Sequence, residues 1–206
     1  MSKNVVFLKR SQIDQASEVL ASAFDQDPMF CYLTPKVDRA RTNAINWLCK
    51  TVLRYSEPYH HIYTTASDLK GIAAWVPPGH FPLNILRLLQ VGLYALPFNV
   101  DWSRLRQFIS LQSTMEEFHK RDMPQPHWYL IMLGVAPTYQ GQGIGGSLLQ
   151  PILNQADSEG LPCYLETSTE QAVRFYQKHG FEVLRIGEFP GNAPRLWTMK
   201  RPQSEK

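Results

Sequence analysis

The amino-acid sequence predicts an α/β fold with a sheet of about seven strands flanked by helices, and two observations support this prediction. Residues 128–153 pass from an apolar run through a glycine-rich segment to leucines and isoleucines at helical spacing, which is typical of a strand, a loop and a helix. Strand-like and helix-like segments alternate on both sides of this stretch. A chain of 206 residues, 44% apolar and 19% charged, can bury a substantial core. We therefore predict one domain over residues 1–206.

The first part of the chain predicts a strand, two helices and a hairpin. Residues 4–9 resemble a short strand, and Ser11 is placed to cap a helix that Asp25–Pro28 ends. A second helix is predicted from about Val37 to Tyr55, after an acidic and aromatic loop. Two runs rich in β-branched and aromatic residues then flank a short polar turn, and they predict a β-hairpin over 60–66 and 70–76.

The segment 81–126 predicts a helical insertion between the third and fourth strands. Its first part, Leu83–Leu96, is strongly apolar, and its second part is amphipathic. The end of the chain predicts a strand at 162–168, a helix over Glu170–His179 with a C-terminal glycine, and two final strands at 181–186 and 196–200.

Composition excludes several classes of function. The net charge of +3 is spread along the chain, so we predict no nucleic-acid partner. The three cysteines and the histidines His60, His61, His119 and His127 lack metal-ligand spacing, so no metal site is expected. We expect each of these histidines at the surface or at the start of a strand. The N-terminus lacks the pattern of a signal peptide, and the most apolar stretch, 83–98, is too short to cross a bilayer. We expect a cytoplasmic protein without a membrane partner.

The glycine-rich loop is the strongest candidate for a binding site. A helix N-terminus presents backbone N–H groups without intrahelical partners, and its dipole favours an anion such as a phosphate. Gly141, Gly143 and Gly146 satisfy GxGxxG, and Glu166 lies 20 residues further on, where a dinucleotide fold places a ribose-binding acid. Five residues separate the preceding strand from Gly141, however, and little chain follows for a doubly wound sheet. Both features argue against a dinucleotide.

A second glycine pattern overlaps the first one. The residues Gln140-x-x-Gly143-x-Gly145, within LGVAPTYQGQGIGGSLL, resemble the cofactor loop of the GCN5-related N-acetyltransferase (GNAT) superfamily. YLETSTEQAVRFYQKHGF resembles its fifth strand and fourth helix, while AFDQDPMFCYL and AAWVPPG are similar to segments of its puromycin acetyltransferase-like branch. The resemblance implies a mixed, strongly twisted sheet, with residues 127–181 as an acetyl-CoA-binding core.

The same resemblance implies acetyl-CoA as cosubstrate and a set of residues that bind it. The pyrophosphate would lie on main-chain amides of the loop, and the pantetheine would pair with the fourth strand, where a glycine permits close approach. The implied cofactor-binding residues are Leu133, Gly134, Val135, Gln140, Gly141, Gln142, Gly143, Ile144, Gly145, Gly146, Ser147, Phe175 and Tyr176. At Thr169 many relatives have an asparagine that contacts pantetheine, so this position departs from the pattern.

Two residues are the candidates for catalysis. By resemblance, Tyr176 donates a proton to the departing thiolate; alternatively it is an aromatic core residue. Glu166, at the point where the fourth and fifth strands separate, is a candidate for the base that takes a proton from the amine. The alternatives are an exposed acid at the end of a strand or one partner of a structural ion pair. Asp27 and Phe30 are the candidates for binding substrate.

The predicted reaction is direct attack of a primary amine, of a small molecule or a peptide, on acetyl-CoA in a ternary complex. A catalytically silent acyl-CoA sensor and an NAD(P)-dependent oxidoreductase are the alternatives. The sequence specifies neither the acceptor nor the oligomeric state.

Overall fold

A computed structural model describes residues 4–34, 39–99, 102–187 and 193–203. These residues form one seven-stranded sheet in the order β1-β2-β3-β4-β5-β7-β6. Among its described strands only the β4–β5 pair is parallel, so the sheet is mixed, as predicted. The strands are β1 (Val5–Phe7), β2 (Ile62–Thr65), β3 (Gly71–Val76), β4 (Trp128–Val135), β5 (Cys163–Thr167), β6 (Glu182–Gly187) and β7 (Leu196–Arg201).

The described α-helices flank this sheet. They are α1 (Ile13–Phe24), α2 (Pro28–Leu33), α3 (Arg39–Ser56), α4 (Ile85–Val91), α5 (Leu96–Asn99), α6 (Trp102–Asp122), α7 (Ile144–Glu159) and α8 (Glu170–Gln177). Helices α4, α5 and α6 all lie between β3 and β4, where an insertion was predicted. In the described chain no helix is both long and apolar enough to cross a membrane.

Several predicted boundaries were wrong for identifiable reasons. Ser11 lies inside a 3₁₀ turn that precedes α1, so it does not cap that helix. The predicted loop after α1 contains the short helix α2, because Asp27 caps it and Pro28 takes its first position. Gly92, with φ of 140°, ends α4 and breaks the predicted apolar helix in two. The predicted start at Val37 lies outside the described residues.

Three clusters of buried side chains form the core. One lies between the sheet and helices α7 and α8 and includes Trp75, Trp128 and Phe181. A second packs α1 and α3 against β2, β3 and β4. The third lies under the insertion and is mainly aromatic, with Tyr55, Tyr129 and Tyr164. The two faces of the sheet are thus covered by different helices, which places a binding loop on one side and the insertion on the other.

The strands β4 and β5 separate after three paired positions, from Trp128–Cys163 to Leu130–Leu165. Beyond that point β4 continues along β3 to the pair Val135–Gly71, while β5 continues along β7. A register shift between Ala74 and Trp75 leaves one residue of β4 as a bulge at the same level. Residues 131–135 of β4 therefore have a backbone edge without a strand partner, and this edge borders a cleft.

The C-terminal end of α6 is fastened to the sheet beside β5. Asp122, at the last position of α6, accepts hydrogen bonds from Arg185 on β6 at 3.0 Å and from the Thr198 hydroxyl on β7 at 2.7 Å. Thr198 is directly opposite Glu166 in the register of β5 and β7. The anchor therefore holds the end of the insertion over the residue that was predicted to be catalytic.

Candidate active site

The glycine loop leads from β4 into α7 and leaves three amides free of intrahelical bonds. Gly141 and Gly143 have φ of 71° and 76°, and α7 begins directly afterwards. The first intrahelical bond runs from the Ser147 N–H to the Gly143 carbonyl at 3.2 Å. The amides of residues 144–146 therefore remain to bind an anion, and the helix dipole favours the same charge. The amide of Ser147, predicted to belong to this set, is already engaged.

Close packing accounts for the other glycines of this region. A Cβ at Gly146 would lie 2.5 Å from the His179 ring, and one at Gly145 would lie 3.1 Å from the Phe175 ring. At Gly134 a Cβ would lie 2.7 Å from Leu20, on α1. Gly134 was predicted to permit close approach of a ligand, but the contact that requires a glycine there is the packing of α1 on β4.

A cleft of about 1300 Å³, which we call the glycine-loop cleft, extends from this helix terminus along the free edge of β4. Every predicted cofactor-binding residue lines it except Gln142, whose side chain instead donates to the Thr138 carbonyl. Gln140 also lines the cleft and donates to the Val135 carbonyl at 3.0 Å, which ties the loop to the end of β4. Thr169 lines it too, but its hydroxyl is used to cap α8, where it accepts from the Ala172 amide at 3.1 Å.

Tyr176 and Asp27 both line this cleft. Burial raises the pKa of Tyr176, and the nearby charge of Asp27 raises it further, so the phenol keeps its proton. Asp27 accepts from the Met29 and Phe30 amides as the cap of α2 and from the Ser168 hydroxyl at 2.9 Å. Burial raises the pKa of Asp27, although these hydrogen bonds oppose it. The aspartate thus fastens α2 to the end of β5 beside the tyrosine.

Glu166 lies in a second cavity, of about 460 Å³, which shares none of its lining residues with the glycine-loop cleft. We call it the insertion cavity because residues of 81–119 provide most of its wall. The Glu166 side chain is only 5% exposed. Its burial raises its pKa to about 8, partly opposed by the phenols of Tyr129 and Tyr164. At neutral pH the carboxyl group is therefore mostly protonated.

Two buried histidines connect Glu166 to the surface. His119 Nδ1 lies 3.5 Å from Glu166 Oε1, and His119 Nε2 lies 2.7 Å from His127 Nε2. His127 Nδ1 is 2.7 Å from the carbonyl of Gln125, an exposed residue. Burial, together with the smaller effect of His127, lowers the pKa of His119 to about 2. The contact between His119 and Glu166 is thus one of neutral groups and not an ion pair.

The carbonyl at the end of this chain fixes where each proton lies. A carbonyl only accepts, so His127 Nδ1 carries a hydrogen and His127 Nε2 is the acceptor. His119 Nε2 must then donate, which leaves a lone pair on His119 Nδ1 facing Glu166. A protonated carboxyl group is the complementary partner, in agreement with its raised pKa. Among the described residues no group of three or more His, Cys, Asp or Glu side chains is arranged to hold a metal.

Comparison with known proteins places this geometry in a family. Residues 108–181 match the family model described as Acetyltransferase (GNAT) family. An uncharacterised N-acetyltransferase of Schizosaccharomyces pombe is 28% identical over 172 residues, which cover 81% of this chain and 69% of that protein. The chain belongs to the GNAT superfamily. Two probable serine/threonine-protein kinases of Dictyostelium discoideum also match, but the chain spans only 29% and 20% of their length.

Solved structures share the GNAT fold. A Corynebacterium glutamicum structure, described as a histone acetyltransferase and related acetyltransferase, has a TM-score of 0.68 at 22% identity and covers 100% of this chain and 99% of its own. A polyamine N-acetyltransferase of Drosophila melanogaster has a TM-score of 0.63 at 14% identity, with 97% and 99% covered. Membership of this family makes the chain an acyltransferase. Its assignment to the puromycin acetyltransferase-like branch stays a prediction.

In this GNAT protein the predicted site residues divide between two places. The loop, Phe175, Tyr176 and Asp27 line the glycine-loop cleft, whereas Glu166 lines the insertion cavity. Phe30, predicted to bind substrate, stacks on Phe24 at 4.7 Å and lines neither cavity, because α2 turns it into the core between α1 and α3.

The sequence did not reveal the role of the two histidines. His119 was expected at the surface, but it is 1% exposed, and Phe81 and Tyr164 stack on its two faces. His127 does precede a strand, as expected, yet it is also buried. The one hint in the sequence was the position of His119 on a predicted helix, one turn before Asp122. This hint becomes useful only when the contacts that Asp122 makes with β6 and β7 are known.

Proposed function

We propose that the protein is an acetyl-CoA-dependent N-acetyltransferase that acetylates a primary amine of a small molecule or peptide. The observation that carries the proposal is the path of the glycine-loop cleft. It begins at three free amides of a helix N-terminus and follows residues 133–135 on the unpaired edge of β4, in the direction of the place where β4 and β5 separate. An anionic group followed by a long amide-containing arm fits such a cleft, and acetyl-CoA has both parts.

The main chain does most of the donor binding in this proposal. The amides of residues 144–146 hold the pyrophosphate. The backbone edge of residues 131–135 pairs with the amides of the pantetheine arm, much as an added strand would. Phe175 packs its ring against Gly145 and forms part of the cleft wall. An amide near Leu133–Val135 polarises the thioester carbonyl.

Acyl transfer then requires two proton movements. The amine nitrogen attacks the thioester carbon, so that an N–C bond forms and the C–S bond breaks. Glu166, as carboxylate, takes the proton that the nitrogen must lose, and Tyr176 gives its proton to the departing thiolate. Since Tyr176 resists ionisation, it is loaded with this proton at neutral pH.

Glu166 must lose its own proton before it can act as a base. In the proposed cycle the proton passes to His119 Nδ1, while His119 Nε2 passes its proton to His127 Nε2. His127 then releases its Nδ1 proton to solvent water beside exposed Gln125, whose carbonyl only accepts a hydrogen bond. The two contacts of 2.7 Å made by His127 favour such a relay, and the 3.5 Å between Glu166 Oε1 and His119 Nδ1 must shorten for its first step. This role depends on the neutral state of both histidines, which their burial favours.

The Tyr176→Phe variant tests whether Tyr176 is the acid that protonates the departing thiolate. We expect turnover to fall by about 10²- to 10⁴-fold, since a positioned acid contributes about that much. The dissociation constant of acetyl-CoA, measured by calorimetry, should stay nearly unchanged. Unchanged turnover would remove Tyr176 from the acid role.

A ligand comparison tests the proposed function itself. Acetyl-CoA should raise the melting temperature of the protein, and NAD or NADP should not. Coenzyme A should be released when an amine is added. Binding of acetyl-CoA without thiol release from any amine would indicate a sensor, whereas protection by NAD alone would indicate an oxidoreductase.

A further inference from the structure

The insertion cavity has a polar floor and an apolar wall. Glu166, His119 and Tyr129 form its inner end. Most of its remaining wall consists of aliphatic and aromatic side chains, namely Phe81, Leu83, Ile85, Leu88, Leu89, Leu93, Leu96, Leu105, Phe108, Ile109 and Met115. A cavity of this size, apolar with a few convergent polar groups, is typical of a small-molecule site.

The cavity opens to solvent through the insertion. Ile85, Tyr94 and Ile109 line it and are 58%, 67% and 56% exposed. Groups of exposed apolar side chains are uncommon on soluble proteins, and where they occur they often mark a binding surface. A ligand that enters here meets apolar surface first and the carboxyl group of Glu166 last.

The charges of the wall have one sign. Its ionisable acids are Glu116, near the mouth, and Glu166, at the floor. Among the described residues that line it, none is Lys or Arg. A carboxylate buried here would have no cationic partner, and such burial is strongly unfavourable. A cationic group, in contrast, meets the carboxyl group of Glu166 at the floor of the cavity, whereas Glu116 is already paired with Lys120 at 2.5 Å.

We propose that the insertion cavity binds the acceptor, and that the acceptor is a monoamine with an uncharged apolar body, aryl or alkyl, and no carboxylate. This inference rests on the proposed N-acetyltransferase function. The amino group lies at Glu166 and His119, and the body fills the space among the leucines. The volume of 460 Å³ has room for about fifteen water-sized groups, which suits an arylethylamine or a medium-chain alkylamine.

The proposed acceptor class predicts different kcat/KM values for closely related amines. 2-Phenylethylamine and phenylalanine differ only by the carboxylate that the cavity cannot pair. Octylamine and spermidine are both extended, but spermidine would place further ammonium groups among apolar side chains. We expect kcat/KM for 2-phenylethylamine and octylamine to exceed the values for phenylalanine and spermidine at least about tenfold.

A matched pair of substitutions on α6 locates the site. Ser113 lines the cavity at an exposed position, whereas Ser110, one turn earlier, is exposed and does not line it. Ser113→Trp should raise the KM for 2-phenylethylamine at least about tenfold by filling the cavity. Ser110→Trp should leave it unchanged, and both variants should bind acetyl-CoA as the wild type does.

The experiment measures coenzyme A release with the four amines, and calorimetry with acetyl-CoA and with 2-phenylethylamine. Equal kcat/KM for 2-phenylethylamine and phenylalanine, or equal effects of the two tryptophan substitutions, would overturn the inference. Thiol release with spermidine alone would overturn it and leave the N-acetyltransferase function intact. Binding of 2-phenylethylamine without binding of acetyl-CoA would support the amine site and overturn the proposed transfer reaction. Binding of acetyl-CoA but not of the apolar amines would overturn the inference alone.

Discussion

The glycine-loop cleft and the insertion cavity differ in the kind of group that builds them. The cleft presents main-chain amides at the start of α7 and along β4, all supplied by one continuous stretch of chain. The reactive end of the insertion cavity consists of side chains from α6, β4 and β5, which meet only in the folded protein. One site depends on backbone conformation, and the other depends on the protonation of a buried carboxyl group.

Glu166→Gln should separate the two sites with the largest effect. Gln keeps the shape of the side chain but cannot accept the amine proton, so we expect kcat to fall by about 10²- to 10⁴-fold. Acetyl-CoA affinity should not change, because Glu166 does not line the glycine-loop cleft. An assay of thiol release measures kcat, and calorimetry on the same preparation measures the affinity for acetyl-CoA. A parallel loss of affinity would show that the two sites are not separate.

Gly143→Ala should affect the other site alone. An alanine at φ of 76° costs about 1–2 kcal/mol, and relief of this strain would turn the loop amides away from the ligand, so the Kd of acetyl-CoA should rise about tenfold. Gly160→Ala is the matched control, because Gly160 ends the same helix with φ of 65° and equally open space around it. Both variants should lose similar stability by urea unfolding. Equal Kd values in the two variants would remove the loop from donor binding.

His127→Gln tests the proton path with a smaller effect. The Gln carbonyl can still accept from His119 Nε2, so the packing partner of His119 is kept while proton transfer stops. We expect kcat to fall about tenfold, which corresponds to about 1.4 kcal/mol, and added imidazole to restore part of it. The assay is turnover against imidazole concentration at constant pH. A wild-type rate in this variant would assign His127 a structural role only.

The stability of the fold should also reveal the buried carboxyl group. Its pKa is about 8 in the folded protein and near 4.5 in the unfolded chain, so the folded state holds the proton more tightly. As pH rises from about 4.5 to 8 the unfolded chain ionises first, and the wild type loses stability that Glu166→Gln does not lose. The melting temperature of the variant minus that of the wild type should therefore increase from pH 5 to pH 8.5. Parallel melting curves would contradict the raised pKa.

The sequence allowed the glycine-loop cleft to be predicted because its determinants are local. A strand, a loop of glycines and a helix start follow one another along the chain, so their spacing argued against a dinucleotide loop, while the resemblance to GNAT proteins pointed to coenzyme A. The seven-strand sheet was predicted for the same reason, since each strand has its own apolar pattern. Local patterns also misled, as at Ser11, where a 3₁₀ turn displaced the start of the helix.

The insertion cavity could not be predicted in this way. His119 has ordinary helical neighbours in sequence, and its contacts with Glu166 and His127 depend on how α6 crosses the sheet. That crossing is fixed by the anchor of Asp122 on Arg185 and Thr198, which are 63 and 76 residues away along the chain. The surroundings of Asp27 could not be predicted for the same reason, because its hydrogen bond with Ser168 joins residues 141 positions apart.

The pH dependence of the two sites, measured side by side, tests their separation most directly. The acceptor should be an apolar amine whose own ammonium pKa lies well below neutrality, so that only the protein ionises between pH 7 and 9. We expect kcat/KM for this amine to rise with pH and to level off above about 8, as Glu166 becomes a carboxylate, while the Kd of acetyl-CoA stays constant. A flat kcat/KM profile, or an acetyl-CoA Kd that follows the same curve, would contradict the division between backbone donor site and carboxylate acceptor site.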